Sequence, residues 1–262
     1  MQLKNQSRRV SAVRRFIPPL YGSLCYGFFL ATFLYAIGFT TNLVVPTSVD
    51  VGTMSPPISA VLIDVALLAV FAVQHSLMAR EGFKRRWTRI IPKAIERSTY
   101  VLFASCALAL LFWQWRPLPD LVWALRDPSA QMVAALLAAT GWCTVLCSTF
   151  LISHAELFGL RQVFTATRDG AAPQLRTPGL YKLVRHPIYL GFVIAFSSTA
   201  VMTVGHLLFA IATTGYILMG ILFEERDLVR LFGEPYVRYR RDVPMLVPLW
   251  KLGRRRSRDK IA

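Results

Sequence analysis

Charged residues are scarce in this sequence, and acidic ones are the scarcest. Asp, Glu, Lys and Arg make up 17% of the 262 residues, with 14 acidic against 30 basic side chains. Apolar residues reach 55%, and the mean hydropathy is +0.46. A soluble globular domain carries about 25% charged residues. The shortage of charge therefore excludes an ordinary soluble enzyme and indicates a protein embedded in a bilayer.

The sequence also lacks the motifs of the common nucleotide-binding and metal enzymes. It has no G-x-G-x-x-G after a predicted strand and no P-loop, so any nucleotide-like cofactor must bind in a non-Rossmann way. Only four histidines are present, and they lack the paired spacings that supply two metal ions with imidazoles. A membrane di-iron oxygenase is therefore disfavoured, and no metal site is predicted.

Cysteines are few, and none falls in a predicted exported loop. Cys25, Cys106, Cys143 and Cys147 all lie within apolar runs, so we expect free thiols. Cys143 and Cys147 share one helical face at i, i+4 spacing. We interpret them as small apolar side chains rather than as metal ligands.

Six apolar runs account for most of the chain. They lie at about 20–45, 58–79, 99–115, 131–153, 188–204 and 207–223. A helix needs about twenty apolar residues to cross a hydrocarbon core of about 30 Å. The last two runs are short, and Gly205 and His206 divide them, which predicts a tight helical hairpin that either spans or re-enters the membrane. The predicted fold is an all-α integral membrane protein of about six membrane helices (five to six), forming a single membrane domain over 1–262.

The basic residues alternate between the two sides of these runs. Of the 30 Lys and Arg, 5 precede the first run, 7 lie between the second and third, 5 between the fourth and fifth, and 11 follow the sixth, whereas the opposite loops hold only Arg116 and Arg126. This positive-inside pattern predicts that both termini are cytoplasmic. It also explains the net charge of +16 through the lipid bilayer alone, so we expect no nucleic-acid partner and see no obligate protein partner.

Ionisable groups gather at the two ends of the predicted hairpin. The stretch "RHPIYLG" (185–191) leads into it, and "EERDL" (224–228) leads out of it. An antiparallel hairpin returns His186 and Tyr189 to the neighbourhood of Glu224 and Glu225. A proline-started helix N-terminus can hold a carboxylate, and carboxylates with tyrosine faces suit an ammonium or sulfonium and an adenine ring. The sequence predicts a cleft for an amino-acid-bearing cation with a nucleobase.

Three other ionisable side chains need a reason to lie at or near membrane depth, where charge is costly. Asp64 lies inside the second run, and we interpret it as a structural partner of a neighbouring group, with a direct role as the alternative. His75 lies near the end of the same run, and its role stays open. His154 ends the fourth run on the predicted cytoplasmic side and is a candidate proton acceptor.

With these segments in view, the sequence resembles a known family. The order "RHPIYLG", hairpin, "EERDL" and "FGEPYVRYRRDVPMLVP" resembles the C-terminal half of the isoprenylcysteine carboxyl methyltransferase superfamily of membrane methyltransferases. Upstream, "FLYAIGF", "QHSLMAR", "ERSTYVLF" and "SHAELFGLRQV" are similar to the bacterial methanethiol S-methyltransferases. The resemblance implies a four-helix part over 1–153 and a methyltransferase part over 154–262, in which the hairpin and basic tail form the cofactor site.

The resemblance also implies residue roles. Its cofactor, S-adenosylmethionine, would contact Gln174, Leu175, Arg176, Tyr181, His186, Pro187, Ile188, Tyr189 and Glu224. The proton acceptor for the thiol stays open among His186, His154 and Glu225. Where the isoprenylcysteine enzymes carry an arginine that meets the prenylated substrate, this chain has Gly220, which favours a small neutral thiol.

The activity implied by the resemblance is methylation of methanethiol to dimethyl sulfide, near the cytoplasmic face of a bacterial inner membrane. Another thiol, a lipid or an isoprenylcysteine is the alternative acceptor. A different class, the NADPH-dependent sterol reductases, shares a similar C-terminal architecture, but "EERDL" stands where those enzymes have Asp-Glu-x-x-Cys. A membrane protein without enzymatic activity is the third alternative.

Overall fold

The computed structural model of the protein describes residues 2–165 and 175–248, and most of them are helical. Within these residues the elements are, in chain order, α1 (Gln2–Thr41), α2 (Pro57–Ala79), α3 (Glu81–Trp87), α4 (Glu96–Gln114), β1 (Leu121–Ala124), α5 (Pro128–Ile152), α6 (His154–Leu157), α7 (Leu160–Phe164), α8 (Pro187–Ser197), β2 (Val201–Thr203), α9 (Val204–Phe232) and α10 (Glu234–Asp242). Short 3₁₀ turns, Lys93–Ile95 and Gly179–Lys182, precede α4 and the segment that leads to α8.

Among the described residues, five helical segments are long and apolar enough to cross a membrane: Phe16–Thr41, Pro57–Ala79, Lys93–Gln114, Pro128–Ile152 and Val204–Phe232. The protein is an integral membrane protein, as its composition predicts. Five spans is the lower end of the predicted five to six, because the fifth apolar run (188–204) forms only α8, which has 11 residues. At 1.5 Å per residue it is about 16 Å long, roughly half of a hydrocarbon core of about 30 Å.

The predicted division of the last hairpin at Gly205 and His206 is wrong. The chain leaves α8 after Ser197 and re-enters a helix at Val204, so Gly205 and His206 lie in the first turn of α9. Thr203 caps this turn by accepting the His206 N–H at 3.0 Å. His206 also donates from Nε2 to the Phe196 carbonyl at 2.9 Å, so it joins the two helices instead of separating them.

The all-α prediction did not include a short strand pair, whose strands lie between α4 and α5 and between α8 and α9 in the chain. β1 and β2 pair antiparallel, with Leu121 opposite Thr203 and Ala124 opposite Val201. The Trp123 indole donates to the Thr199 carbonyl at 3.4 Å. The pairing joins the segment before α5 to the segment before α9.

The described residues form two compact units, one of 2–117 with 154–165 and the other of 118–153 with 175–248. In the first unit, α4 packs against α1 and α2, and α7 packs against α1. Its apolar core contains Met78, Tyr100 and Val101, with Phe29 and Phe158 packed against them.

Two polar side chains of the first unit make structural contacts. Asp64 is fully buried, and its Oδ1 accepts the backbone N–H of Arg116 at 2.9 Å, which ties α2 to the segment after α4. The hydroxyl of Tyr100 lies 2.8 Å from His75 Nε2, and the two rings are 5.1 Å apart. The contact of Asp64 agrees with its interpretation as a structural partner.

In the second unit, α8 packs closely on α5 through small residues. A Cβ atom on Gly191 would lie 2.7 Å from the Gly141 carbonyl oxygen and 2.9 Å from the Val145 nitrogen. A Cβ atom on Gly141 would lie 2.6 Å from the Ala195 nitrogen. Small residues let helix backbones approach in this way inside membranes. Although α8 is too short to span, this contact holds it against a spanning helix.

Gly191→Ala is therefore expected to destabilise the second unit by about 1–3 kcal/mol, the usual cost of overpacking a tight contact. The backbone atoms of α5 must shift to admit the methyl group. Thermal unfolding of the purified protein in detergent measures the effect. Gly215→Ala is the matched control, because nothing lies within 4 Å of a Cβ there. An equal loss in both variants would contradict the role given to the Gly191 contact.

Candidate functional site

The candidate site lies in the second unit, where the N-terminus of α8 meets the last turns of α9. Pro187 occupies the first turn of α8, and His186 precedes it with φ −125° and ψ 64°. Proline suits this position because the first N–H groups of a helix have no partner within the helix. Among the described residues, no side-chain hydrogen bond caps this end of α8, and the N-terminus of a helix favours negative charge.

Glu225 forms the buried centre of the site. Its Oε1 accepts a bond from Arg185 Nε at 2.7 Å, and both side chains are only 10% exposed. The same oxygen lies 3.2 Å from His186 Nε2, and Oε2 lies 3.8 Å from the guanidinium of Arg240. Two cations and an imidazole therefore surround one carboxylate, which satisfies its charge inside the protein.

The end of α10 and the residues that follow it fold back onto this centre. Arg185 donates from Nη1 to the carbonyls of Arg240 and Val243. The backbone N–H of Arg185 bonds the Pro244 carbonyl at 2.9 Å, and that of His186 bonds the Met245 carbonyl at 3.2 Å. We call residues 240–245 the return segment. It fixes the backbone of the two residues that precede α8.

Glu224, the neighbour of Glu225, lies in a different environment. Its side chain is 44% exposed, and its Oε2 accepts the Tyr189 hydroxyl at 2.9 Å. His186 Nδ1 is 3.8 Å from the same oxygen, and the rings of His186 and Tyr189 stack with centroids 5.6 Å apart. Glu224 therefore presents a partly solvated carboxylate beside two aromatic rings.

Three tyrosines, Tyr181, Tyr236 and Tyr239, lie close to the glutamate pair. The Tyr239 hydroxyl donates to the Tyr181 carbonyl at 2.6 Å, and burial raises the pKa of Tyr239 to about 12. Tyr181 is buried, and its own hydroxyl reaches the Ser148 carbonyl at 3.5 Å. Tyr236 is buried too, and burial together with the nearby Glu225 carboxylate raises its pKa. All three phenols stay neutral at physiological pH.

The structure brings together the four side chains that the hairpin argument placed in one site: His186, Tyr189, Glu224 and Glu225. Of the remaining residues implied by the resemblance, Pro187 is buried, Leu175 and Ile188 are half-buried, and Arg176 is exposed. Gln174 lies outside the described residues. The contacts show where these side chains lie, while their roles in binding a cofactor stay predictions.

Sequence reasoning missed the part played by Arg185 and the return segment. It also assigned no task to Tyr236 and Tyr239, although both belong to the motif F-G-x-x-Y-x-x-Y. The tyrosine spacing of three residues indicates one helical face and was the available sign. The bonds from Arg185 to carbonyls some 55 residues later leave no local pattern in the sequence.

His154, a candidate proton acceptor, lies in the first unit. Its Nε2 is 2.9 Å from the Tyr26 hydroxyl, and the Phe158 ring packs 4.7 Å from its ring. Partial burial lowers the pKa of His154 below its ordinary value. This burial favours the neutral form of the imidazole and makes it a weaker base.

The described residues hold no group of three or more His, Cys, Asp or Glu side chains that could bind a metal ion. All four cysteines are free; Cys25 is buried, and Cys106, Cys143 and Cys147 are exposed on their helices. The chemistry of the site in the second unit is instead that of anionic carboxylate, aromatic rings and helix N–H groups. Such a set suits a ligand that carries both a cationic centre and a carboxylate.

Comparison with known proteins finds relatives that cover most of the chain. Residues 129–235 match the phospholipid methyltransferase family, a range that contains all but the first residue of α5, all of α8 and α9, and both glutamates of the site. Methanethiol S-methyltransferase 1 of Bradyrhizobium diazoefficiens is 53% identical over 243 residues, covering 92% of this chain and 85% of the relative.

Two further relatives are similar over nearly their whole length. Methanethiol S-methyltransferase of Mycobacterium tuberculosis is 53% identical over 238 residues, covering 90% of this chain and 98% of the relative. That of Crocosphaera subtropica is 51% identical over 231 residues, covering 87% and 91%. No solved structure matches the chain.

Proposed function

We propose, from the premise that this chain belongs to the methanethiol S-methyltransferase family, that it methylates a small thiol with S-adenosylmethionine as donor. Its class, a membrane methyltransferase, follows from that membership and from the five apolar helices. The donor, the acceptor and the residue roles are the proposal. The observation that carries it is the exposed Glu224 carboxylate beside Tyr189, His186 and the uncapped start of α8.

The residues present fit the proposed donor. Glu224 supplies negative charge for its ammonium or sulfonium group, and the Tyr189 ring supplies a π face for a cation or an adenine. The first N–H groups of α8 suit its carboxylate. Glu225 is less suited to bind the donor, because Arg185 and His186 already engage the Oε1 oxygen of its carboxylate.

In the proposed reaction the thiol sulfur forms a bond to the methyl carbon while the bond from that carbon to the sulfonium sulfur breaks. The bound donor supplies an activated methyl group, so the protein has mainly to align the two sulfurs and exclude water. Alignment alone contributes several kcal/mol. The thiol proton must leave as well, because thiolates are the nucleophiles. Of the three candidate acceptors, Glu225 is disfavoured by its ion pair with Arg185.

The environment of Gly220 supports a small acceptor. Nothing lies within 4 Å of a Cβ atom there, at the position where the isoprenylcysteine enzymes carry a cation. Gly220 itself supplies no charge for a prenylcysteine carboxylate. Methanethiol and dimethyl sulfide are neutral and apolar, and they partition into lipid. The basic loops further favour an inner membrane location with the site near the cytoplasmic face.

Headspace gas chromatography of the purified protein in detergent, supplied with S-adenosylmethionine and methanethiol, tests the proposal. We expect dimethyl sulfide to accumulate in proportion to protein, and none from heat-treated protein. Longer thiols and phosphatidylethanolamine serve as competing acceptors in parallel samples. Methylation of one of those alone would overturn the acceptor and keep the methyltransferase. Absence of donor binding in calorimetry would overturn the donor site.

A further inference from the structure

We propose that Glu225 is a positioning residue: it holds the His186 imidazole in its Nε2–H tautomer and leaves Nδ1 as an acceptor on the side of Glu224. The inference rests on the proposed function only in taking that side as the donor site. The tautomer is decided by whether His186 Nε2 carries a proton, and this can be observed without any reaction.

The first step concerns the charge of Glu225. Arg185 approaches its Oε1 to 2.7 Å with both side chains 10% exposed, and arginine does not lose its proton in proteins. The guanidinium of Arg240 lies 3.8 Å from the other oxygen. A carboxyl group between two permanent cations is a carboxylate, and a carboxylate can only accept hydrogen bonds.

The second step concerns the proton of His186. Its Nε2 lies 3.2 Å from Glu225 Oε1. Because that oxygen can only accept, Nε2 must donate and therefore carries the hydrogen. In a neutral imidazole the other nitrogen then holds a lone pair. This is the arrangement by which a carboxylate behind a histidine sets the tautomer of the ring.

The third step concerns the direction of Nδ1. It lies 3.8 Å from Glu224 Oε2, which is longer than a hydrogen bond, and that oxygen already accepts the Tyr189 hydroxyl. Nδ1 thus presents an acceptor next to a carboxylate. The two together suit a ligand group with several N–H donors, such as an ammonium.

The ring cannot readily turn away from this arrangement. The backbone N–H of His186 is bonded to the Met245 carbonyl, the ring stacks on Tyr189, and Arg185 is bonded to the carbonyls of Arg240 and Val243. The return segment therefore takes part in positioning. In this proposal the network acts on the ligand through His186.

Nuclear magnetic resonance of ¹⁵N-histidine-labelled protein in detergent micelles tests the tautomer. The chain has only four histidines, and a His186→Gln sample assigns one set of two-bond ¹H–¹⁵N correlations. At neutral pH we expect the Nε2–H pattern for His186. In Glu225→Gln the pattern should shift to a mixture with Nδ1–H, whereas Glu224→Gln should keep the Nε2–H pattern. An Nδ1–H pattern, or the pattern of a doubly protonated ring, in the unaltered protein would overturn the inference.

A double variant tests the same point in case Glu225→Gln does not fold. Arg185→Met with Glu225→Leu replaces the ion pair by apolar side chains, a change that buried pairs often tolerate. It should also lose the Nε2–H preference and bind S-adenosylmethionine about two- to tenfold more weakly, the loss expected for one hydrogen bond. Unchanged tautomer and affinity in a folded double variant would refute the positioning role. Absence of donor binding by the unaltered protein would instead count against the proposed function and leave the tautomer result standing.

Discussion

Glu224→Gln is expected to weaken the binding of S-adenosylmethionine by about 10- to 150-fold, the loss that follows from removing a hydrogen bond to a charged group, about 1.5–3 kcal/mol. The amide keeps the shape and can still accept the Tyr189 hydroxyl, but it lacks the charge that attracts an ammonium or sulfonium. Because the side chain is 44% exposed, its loss should leave stability nearly unchanged. Isothermal titration calorimetry measures the affinity, and headspace chromatography measures the activity.

Asp227→Asn is the matched control for this variant. Asp227 lies one turn further along α9, 59% exposed and paired with the exposed Arg230, so its neutralisation alters the local charge without touching the site. We expect unchanged affinity and activity. Equal losses in the two variants would show that Glu224 contributes only to the general negative potential, and that the donor site lies elsewhere.

Arg185→Met is expected to cost about 3–5 kcal/mol of stability, the largest loss among the variants considered, because it leaves the buried Glu225 carboxylate without its closest cation. It also removes the bonds to the carbonyls of Arg240 and Val243, so the return segment should detach. Thermal unfolding in detergent measures the stability. Proteolysis after Arg240 and Arg241 in the folded protein reports the release of the return segment.

Two comparisons interpret that result. Arg230→Met removes an ion pair whose side chains are 79% and 59% exposed, and exposed pairs contribute about 0–1 kcal/mol, so little should change. The double variant Arg185→Met with Glu225→Leu removes both charges and should recover most of the stability. A double variant as unstable as Arg185→Met would show that the carbonyl bonds, rather than the unpaired carboxylate, carry the cost.

The sequence predicts those features of this protein that depend on local composition. Long apolar runs correspond to spans in five of six cases, since a bilayer requires continuous apolar length. The contact between His186 and Glu225 is expected for any antiparallel hairpin that joins the two motifs. Its prediction needed only the positions of the two motifs at the ends of one hairpin.

The failed boundary at Gly205 and His206 has a specific physical reason. Residues 198–203 contain no charged residue, glycine or proline that would mark the end of a helix. What ends α8 is the pairing of Val201–Thr203 with Leu121–Ala124, a contact between segments about 80 residues apart. The available local sign was Thr203, a good helix N-cap, three residues before His206.

The return segment was missed for a related reason. Its contacts with Arg185 and His186 are made by backbone carbonyls, which every residue has and which no pattern of side chains announces. A resemblance based on side-chain motifs does not reveal these carbonyl contacts either. The conclusion is general for sites of this kind: motif residues can be located from sequence, while the main-chain bonds that hold them require coordinates.

The unbroken length of α9 sets the distance between the strand pair and the glutamate pair. It begins at Val204 beside the strand pair and reaches Glu224 after twenty residues, about 30 Å of rise, which equals the thickness of a hydrocarbon core. A helix of this length is long enough to carry the glutamate pair from one edge of an apolar layer to the other. Each residue also turns the helix by about 100°. Inserting a single alanine between Val204 and Glu224 would therefore rotate the Glu224 carboxylate to another face of the helix and move it along the axis by only about 1.5 Å.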